Sequence, residues 1–244
     1  MNWFIRCTSI VAAGVTAGLA VAGDPVQPGV LASWGNTGCC PPKDLGRVRD
    51  VAGGYSGYGP FTLAVAESGF VAYWGDSPSV GNIPNDLGAC SAVAAGRDFA
   101  VALTVVGTVR AWGYNHQGQC NVPADLGTSA AVAAGESHTV ALRSDGGVRA
   151  WGNNGSGQCN IPADLGACTA IAAGGYHTVA LRQGGSVQAW GNAGDGATDV
   201  PTDLGPSIAI TAGGFHTVAL RSDGRVRAWG YNGNGECNVP ADLG

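Results

Sequence analysis

A period of 39 residues constrains this chain more than any other feature. The Trp-Gly pair recurs at Trp34, Trp74, Trp112, Trp151, Trp190 and Trp229, at intervals of 40, 38, 39, 39 and 39 residues. A second marker, Asp-Leu-Gly, keeps the same phase at Asp44, Asp86, Asp125, Asp164, Asp203 and Asp242. Self-similarity at a fixed period of roughly 20–50 residues specifies a solenoid, a propeller or an array. Glycine makes up 42 of 244 residues, a share that would otherwise suggest low complexity. Here the glycines are phased with the repeat, so they read as turn positions in an ordered fold.

One unit, residues 131–166, reads AVAAGESHTVALRSDGGVRAWGNNGSGQCNIPADLG. It divides into a small apolar piece (131–135), an alternating β-branched piece (138–143) and a third ending at Trp151. None is long enough for a helix or carries helical spacing. Ser144-Asp145-Gly146-Gly147 is a hairpin turn in which glycine supplies positive φ. Three short antiparallel strands cannot bury both faces alone, so neighbouring units must stack. Small Ala-Ala-Gly strands suit the crowded inner end of a blade, and one Trp per unit suits the wider outer part. The expected fold is therefore all-β, a β-propeller of three-stranded blades rather than a linear solenoid.

The words Gly-x-x-His-Thr-Val-Ala-Leu, Asp-Gly and Val-x-Ala-Trp-Gly-x-Asn-x-x-Gly-Gln resemble the regulator-of-chromosome-condensation type of repeat. The short period, with x-Val-Pro-Ala after Gly-Gln, is most similar to the secreted bacterial β-lactamase-inhibitory propellers of that superfamily. The resemblance covers about residues 30–244. It implies a propeller that holds an enzyme target with aromatic and acidic loop residues on one face. Asp98 and Ser137 depart from it, standing where an aromatic would match best.

In chain order, residues 1–23 carry Arg6, an apolar run and a small-x-small site at Ala20-Val21-Ala22. They read as a secretory signal peptide, with a retained anchor as the alternative. Residues 24–244 form the repeat domain: a partial unit at 30–46, then full units at about 47–88, 89–127, 128–166, 167–205 and 206–244. The expected location is secreted or periplasmic, with no membrane association once the signal is removed. The mature chain has 17 acids against 11 bases, a net of −6. That balance, without a basic run, argues against nucleic acid. Five units plus a lone third strand do not complete a ring, so the chain is expected to be part of a longer propeller, with exposed and association-prone edges at its ends.

No constellation points to catalysis. His138, His177 and His216 share one repeat position with Phe61 and Phe99, so they read as packing residues whose ring N–H bonds a neighbouring carbonyl. A catalytic base needs one special geometry, not three copies. The aspartates of Asp-Leu-Gly read as turn residues. Seven cysteines follow the signal. Cys159 with Cys168 and Cys90 with Cys120 are possible bridges, and no spacing matches a metal site. No cofactor or metal is expected.

The chain is thus expected to be a non-enzymatic binding scaffold with a protein partner, an extracellular enzyme being one candidate. A carbohydrate-binding propeller is the alternative, and a propeller-type polysaccharide lyase or hydrolase is a more distant one. Strand direction places the first-to-second turn and the loop after Trp-Gly together at one end, here called upper. The upper loops carry the partner-binding candidates Tyr55, Tyr58, Asp98, Tyr114, His116, Glu136, Tyr176, Asp195, Phe215 and Tyr231. Loop aromatics supply large contact area at low entropy cost. Tyr55 and Tyr58 lie in a loop insertion that distinguishes the 47–88 unit.

Overall fold

The computed structural model describes residues 29–30, 42 and 45–243. The signal segment expected at 1–23 and most of the third strand expected around Trp34 lie outside the described residues.

Among the described residues, five antiparallel sheets follow one another along the chain. Blade 1 holds β1 (Gly29–Val30), β2 (Arg47–Tyr55), β3 (Pro60–Ala66) and β4 (Val71–Gly75), followed by one helical turn, α1 (Pro78–Gly81). Blade 2 is β5 (Cys90–Ala95), β6 (Phe99–Thr104) and β7 (Val109–Gly113). Blade 3 is β8 (Ser129–Ala134), β9 (His138–Arg143) and β10 (Val148–Gly152). Blade 4 is β11 (Cys168–Ala173), β12 (His177–Arg182) and β13 (Val187–Gly191). Blade 5 is β14 (Ser207–Ala212), β15 (His216–Arg221) and β16 (Val226–Gly230). Blade 1 is the exception to three strands, because β1 pairs with β2 through Val30 and Arg47. First strands of successive blades pack closely, and each middle strand packs on the next first strand. That places the first strands innermost, as their small residues require, and the stacking is that of a β-propeller.

Alternation along the middle strand sets the direction of stacking. In His138-Thr139-Val140-Ala141-Leu142, Val140 and Leu142 enter the core shared with blade 4, whereas Ala141 enters the core shared with blade 2. Trp151 also faces blade 2, and Trp190 faces blade 3. Each interface therefore fits large branched residues of one blade against alanines and one Trp of the next. The packing is near complete at the central blades, where Val101, Val140 and Val179 are all at 0% exposure. In blade 5 the matching Val218 and Leu220 are half-buried.

Buried polar groups tie blade to blade. The Thr178 hydroxyl donates to the Gln158 carbonyl at 2.8 Å, and the Trp190 indole donates to the same oxygen at 3.0 Å. Thr139 with Trp151 at Gln119, and Thr217 with Trp229 at Ala197, repeat this arrangement. His138 Nε2 lies 3.1 Å from Thr178 Oγ1, and His177 Nε2 lies 3.0 Å from Thr217 Oγ1. The threonine proton is already donated to a carbonyl, so the imidazole Nε2–H is the donor. The expected packing role stands, but the partner is the next blade's hydroxyl and not a carbonyl. Each ring lies so close over Gly135 or Gly174 that a Cβ there would overlap it.

At the lower end the Asp-Leu-Gly words form turns in which the leucine N–H donates three residues back, as from Leu165 to the Pro162 carbonyl at 3.1 Å. The following Gly166 has φ +66°. The aspartate does more than turn the chain. Asp125 accepts from Arg149 of the next outer strand at 2.6 Å, Asp203 from Arg227 at 3.1 Å, and Asp86 from Arg110. Cys90, Cys120, Cys159, Cys168 and Cys237 are all free thiols, so neither possible bridge forms.

Candidate functional site

The upper loops are organised by the backbone. The residue after each blade's recurring glycine (Gly54, Gly96, Gly135, Gly174, Gly213) joins its neighbours in a ladder. Asp98 N–H donates to the Tyr55 carbonyl at 3.0 Å, and Arg97 N–H to that of Glu136 at 3.2 Å. Glu136 N–H donates to Gly175 at 3.2 Å, and Gly175 N–H to Gly214 at 2.9 Å. Tyr55 and Arg97 form a parallel bridge. A Cβ on Gly175 would sit 2.8 Å from the Gly214 oxygen, so close approach requires glycine there.

On this rim the side chains make one continuous row across all five blades. The Arg97 guanidinium lies 5.7 Å from the centre of the Tyr55 ring and pairs with Glu136 at 2.7 Å. Glu136 also accepts from the Tyr176 hydroxyl. That bond, with burial and the nearby carboxylate charge adding to it, pushes the Tyr176 pKa up to about 12. The Tyr176 ring stacks on Phe215 at 5.8 Å, and Phe215 meets Tyr231 edge-on at 6.5 Å. Offset and edge-on geometries at such separations are the favourable ones for aromatic pairs. Phe215 and Tyr231 remain 44% and 42% exposed, so the row is solid beneath and open above.

Of the ten candidates, Tyr55, Glu136, Tyr176, Phe215 and Tyr231 are therefore brought together. Asp98 sits at the blade 1 end, where its carboxylate accepts from Ser77 Oγ at 3.2 Å and from Gly57 N–H at 3.3 Å. The Tyr114 ring packs against His116 at 4.8 Å in a tilted pair within one loop. Tyr58 borders a separate depression on blade 1, and Asp195 is exposed in the loop after Trp190. Sequence reasoning missed Arg97, which links Tyr55 to Glu136. Its signal was its position one residue after Gly96, the same repeat position as Glu136. Among the described residues no three His, Cys, Asp or Glu side chains gather as a metal site. Burial lowers the His138 pKa to about 3 and the His177 pKa to about 4, so both imidazoles are neutral inside the blades.

The fold and rim define a propeller with one built loop face. Four stretches, 90–119, 130–158, 168–197 and 208–236, match the Regulator of chromosome condensation (RCC1) repeat, and the chain carries repeats of this kind in blades 2 to 5. Among solved structures it is similar to the ectodomain of the receptor kinase CR4 from Physcomitrella patens, with 24% identity and a TM-score of 0.65 over 74% of this chain and 52% of that one. It is similar to human WBSCR16, with 20% identity and a TM-score of 0.65 over 76% of this chain and 62% of that one. Similarity extends to Prp20p from Saccharomyces cerevisiae, a protein with binding properties to Gsp1p and histones, at 21% identity and a TM-score of 0.57, over 70% of this chain and 56% of that one. The chain thus aligns with between 52% and 62% of the length of these three. A comparison with curated proteins finds no match.

Proposed function

We propose that the chain is an exported, non-enzymatic scaffold that holds another protein against its upper loops, in the manner of an inhibitor of an extracellular enzyme. The observation that carries this reading is the continuous row from Tyr55 through Arg97, Glu136, Tyr176 and Phe215 to Tyr231. Rigid aromatics with one buttressed ion pair are the side chains that dominate protein interfaces. The reading is supported further by a face whose loops are fixed by backbone bonds, so little conformational entropy is lost on binding. The binding reported for Prp20p is in keeping with it. Export rests on the character of residues 1–23.

The test is to capture partners from the extracellular medium of the source organism on the immobilised chain and to compare single variants Tyr176→Ala, Phe215→Ala and Tyr231→Ala. At least one should lose about 2 kcal/mol or more of binding with the melting temperature little changed. An activity assay of the captured enzyme with and without the chain reports inhibition, and a glycan array tests sugar recognition. Normal binding by all three variants, with loss on Asp145→Ala or Asp223→Ala at the lower hairpins, would overturn the choice of face.

A further inference from the structure

We propose that the depression on blade 1 is a subsite for one positively charged side chain, an arginine or lysine, of the protein held on the upper face. This rests on the reading of that face as a protein-binding surface. The depression has a volume of about 390 Å³ and is lined by Tyr58, Tyr73, Asp76, Ser77 and Pro78, with glycine backbone completing it. It exists because the 47–88 unit departs from the repeat twice. The loop insertion raises Tyr58 on one side, and α1 replaces the tight loop of the other units on the other side. Departures from a repeat at surface loops are where function concentrates.

The walls are held in place. Ser56, 1% exposed, accepts from Tyr58 N–H at 2.9 Å and Gly59 N–H at 3.1 Å, and donates to the Asp76 carbonyl at 2.9 Å. Ser77 N–H donates to Tyr73 Oη at 2.6 Å, and the Tyr73 hydroxyl lies 2.8 Å from the carbonyls of both Gly75 and Ser77. Asp98, with φ +60°, spans the insertion and the α1 loop through Gly57 and Ser77. A non-glycine residue held in the left-handed region costs free energy and persists where its surroundings fix it, commonly at functional sites.

The chemistry of the lining selects a cation. The Asp76 carboxylate is exposed beneath the Gly59 bend, where a Cβ on Gly59 would meet its Oδ2 at 2.8 Å. The Tyr58 side chain is 79% exposed beside it. A tyrosine face and a carboxylate together attract guanidinium or ammonium groups. Among the described residues no basic side chain lines the depression, whose one charged group is the Asp76 carboxylate. Of the upper-loop carboxylates, Asp98 bonds to Ser77 at the edge of the depression, Asp195 and Glu236 stand on the loops of blades 4 and 5, and Arg97 is neutralised by its pairing with Glu136. That balance favours a partner whose contact surface is basic.

The experiment titrates the full chain with N-methylguanidinium and with its uncharged counterpart N-methylurea, following the Tyr58 ring and the Gly59 and Ser77 amides by NMR. Saturable shifts with the cation and none with the urea are expected. Asp76→Asn should weaken the response at least about tenfold and Tyr58→Ala at least about threefold, with spectra elsewhere unchanged. Equal response to both probes, or wild-type binding by Asp76→Asn, would overturn the subsite. Partner capture separates the two readings. Loss with Tyr176, Phe215 or Tyr231 variants but not with Asp76→Asn removes the subsite and keeps the face. Cation binding with no effect of the aromatic variants on capture removes the face.

Discussion

At the scale of single residues, the buried histidines link blade packing to pH. His138 and His177 are neutral in the fold, with pKa values lowered to about 3 and about 4 mainly by burial. In the unfolded chain both take up protons near pH 6.5. Between pH 6.5 and about 4 the unfolded state therefore binds more protons, and stability falls as pH drops through that window. Each histidine contributes a slope of about 1.4 kcal/mol per pH unit. Asp50 acts in the opposite sense. Burial raises its pKa to about 6, against bonds from Val93 and Val51 N–H that lower it, so below pH 6 its folded form takes up a proton first. It offsets part of the histidine effect, leaving a net acid sensitivity. His138→Phe, which copies the residue found at Phe61 and Phe99, should leave the melting temperature at pH 7 little changed and flatten its fall between pH 6 and 4. Parallel melting profiles for wild type and variant would show that the acid sensitivity lies elsewhere.

At the scale of the strand, the interface is directional, with valine and leucine of one blade set against alanine and Trp of the next. Leu142, 5% exposed, lies in the core between blades 3 and 4, whereas Leu220 at the same position in blade 5 is half-buried. Leu142→Ala should cost about 2–5 kcal/mol, as for buried leucines generally, and Leu220→Ala clearly less. Chemical denaturation measures both, and equal costs would mean that the blade 5 face is covered in solution. The strands and their alternation were legible in the sequence, because a period of two within a period of 39 leaves one way to bury both faces. What joins the blades was less so. His138 and Thr178 are 40 residues apart, and periodicity assigns each a position without saying that they meet across an interface. Asp125 and Arg149 carry the same lesson: the aspartate was readable as a turn, but its clamp on the next outer strand depends on how blades stack. Five of the six side chains in the row stood among the ten loop candidates, whereas Arg97 did not, and Tyr58, Asp98, Tyr114, His116 and Asp195 lie off the row. The contacts of Arg97 follow from the ladder that sets Tyr55, Arg97 and Glu136 side by side.

At the scale of the whole molecule, charge is divided between the two ends. The lower hairpins and outer strands carry pairs such as Arg143 with Asp145 and Arg221 with Asp223, whereas the upper loops hold carboxylates against the paired Arg97. A basic partner would be steered to the upper end, and such steering is screened by salt over a Debye length of about 8 Å at physiological ionic strength. Raising salt from about 0.05 to 0.5 M should slow association at least about threefold while dissociation changes little. Stopped-flow or surface-based kinetics would measure this, and a salt-independent on-rate would rule out electrostatic steering. The rim ladder has a consequence of another kind. Its hydrogen bonds come from the main chain, so at one ladder position the five blades carry Tyr55, Arg97, Glu136, Gly175 and Gly214. Apart from Gly175, where a side chain has no room, the fold does not dictate what stands there. Selection can rewrite the text of this surface one letter at a time while the page on which it is written stays flat.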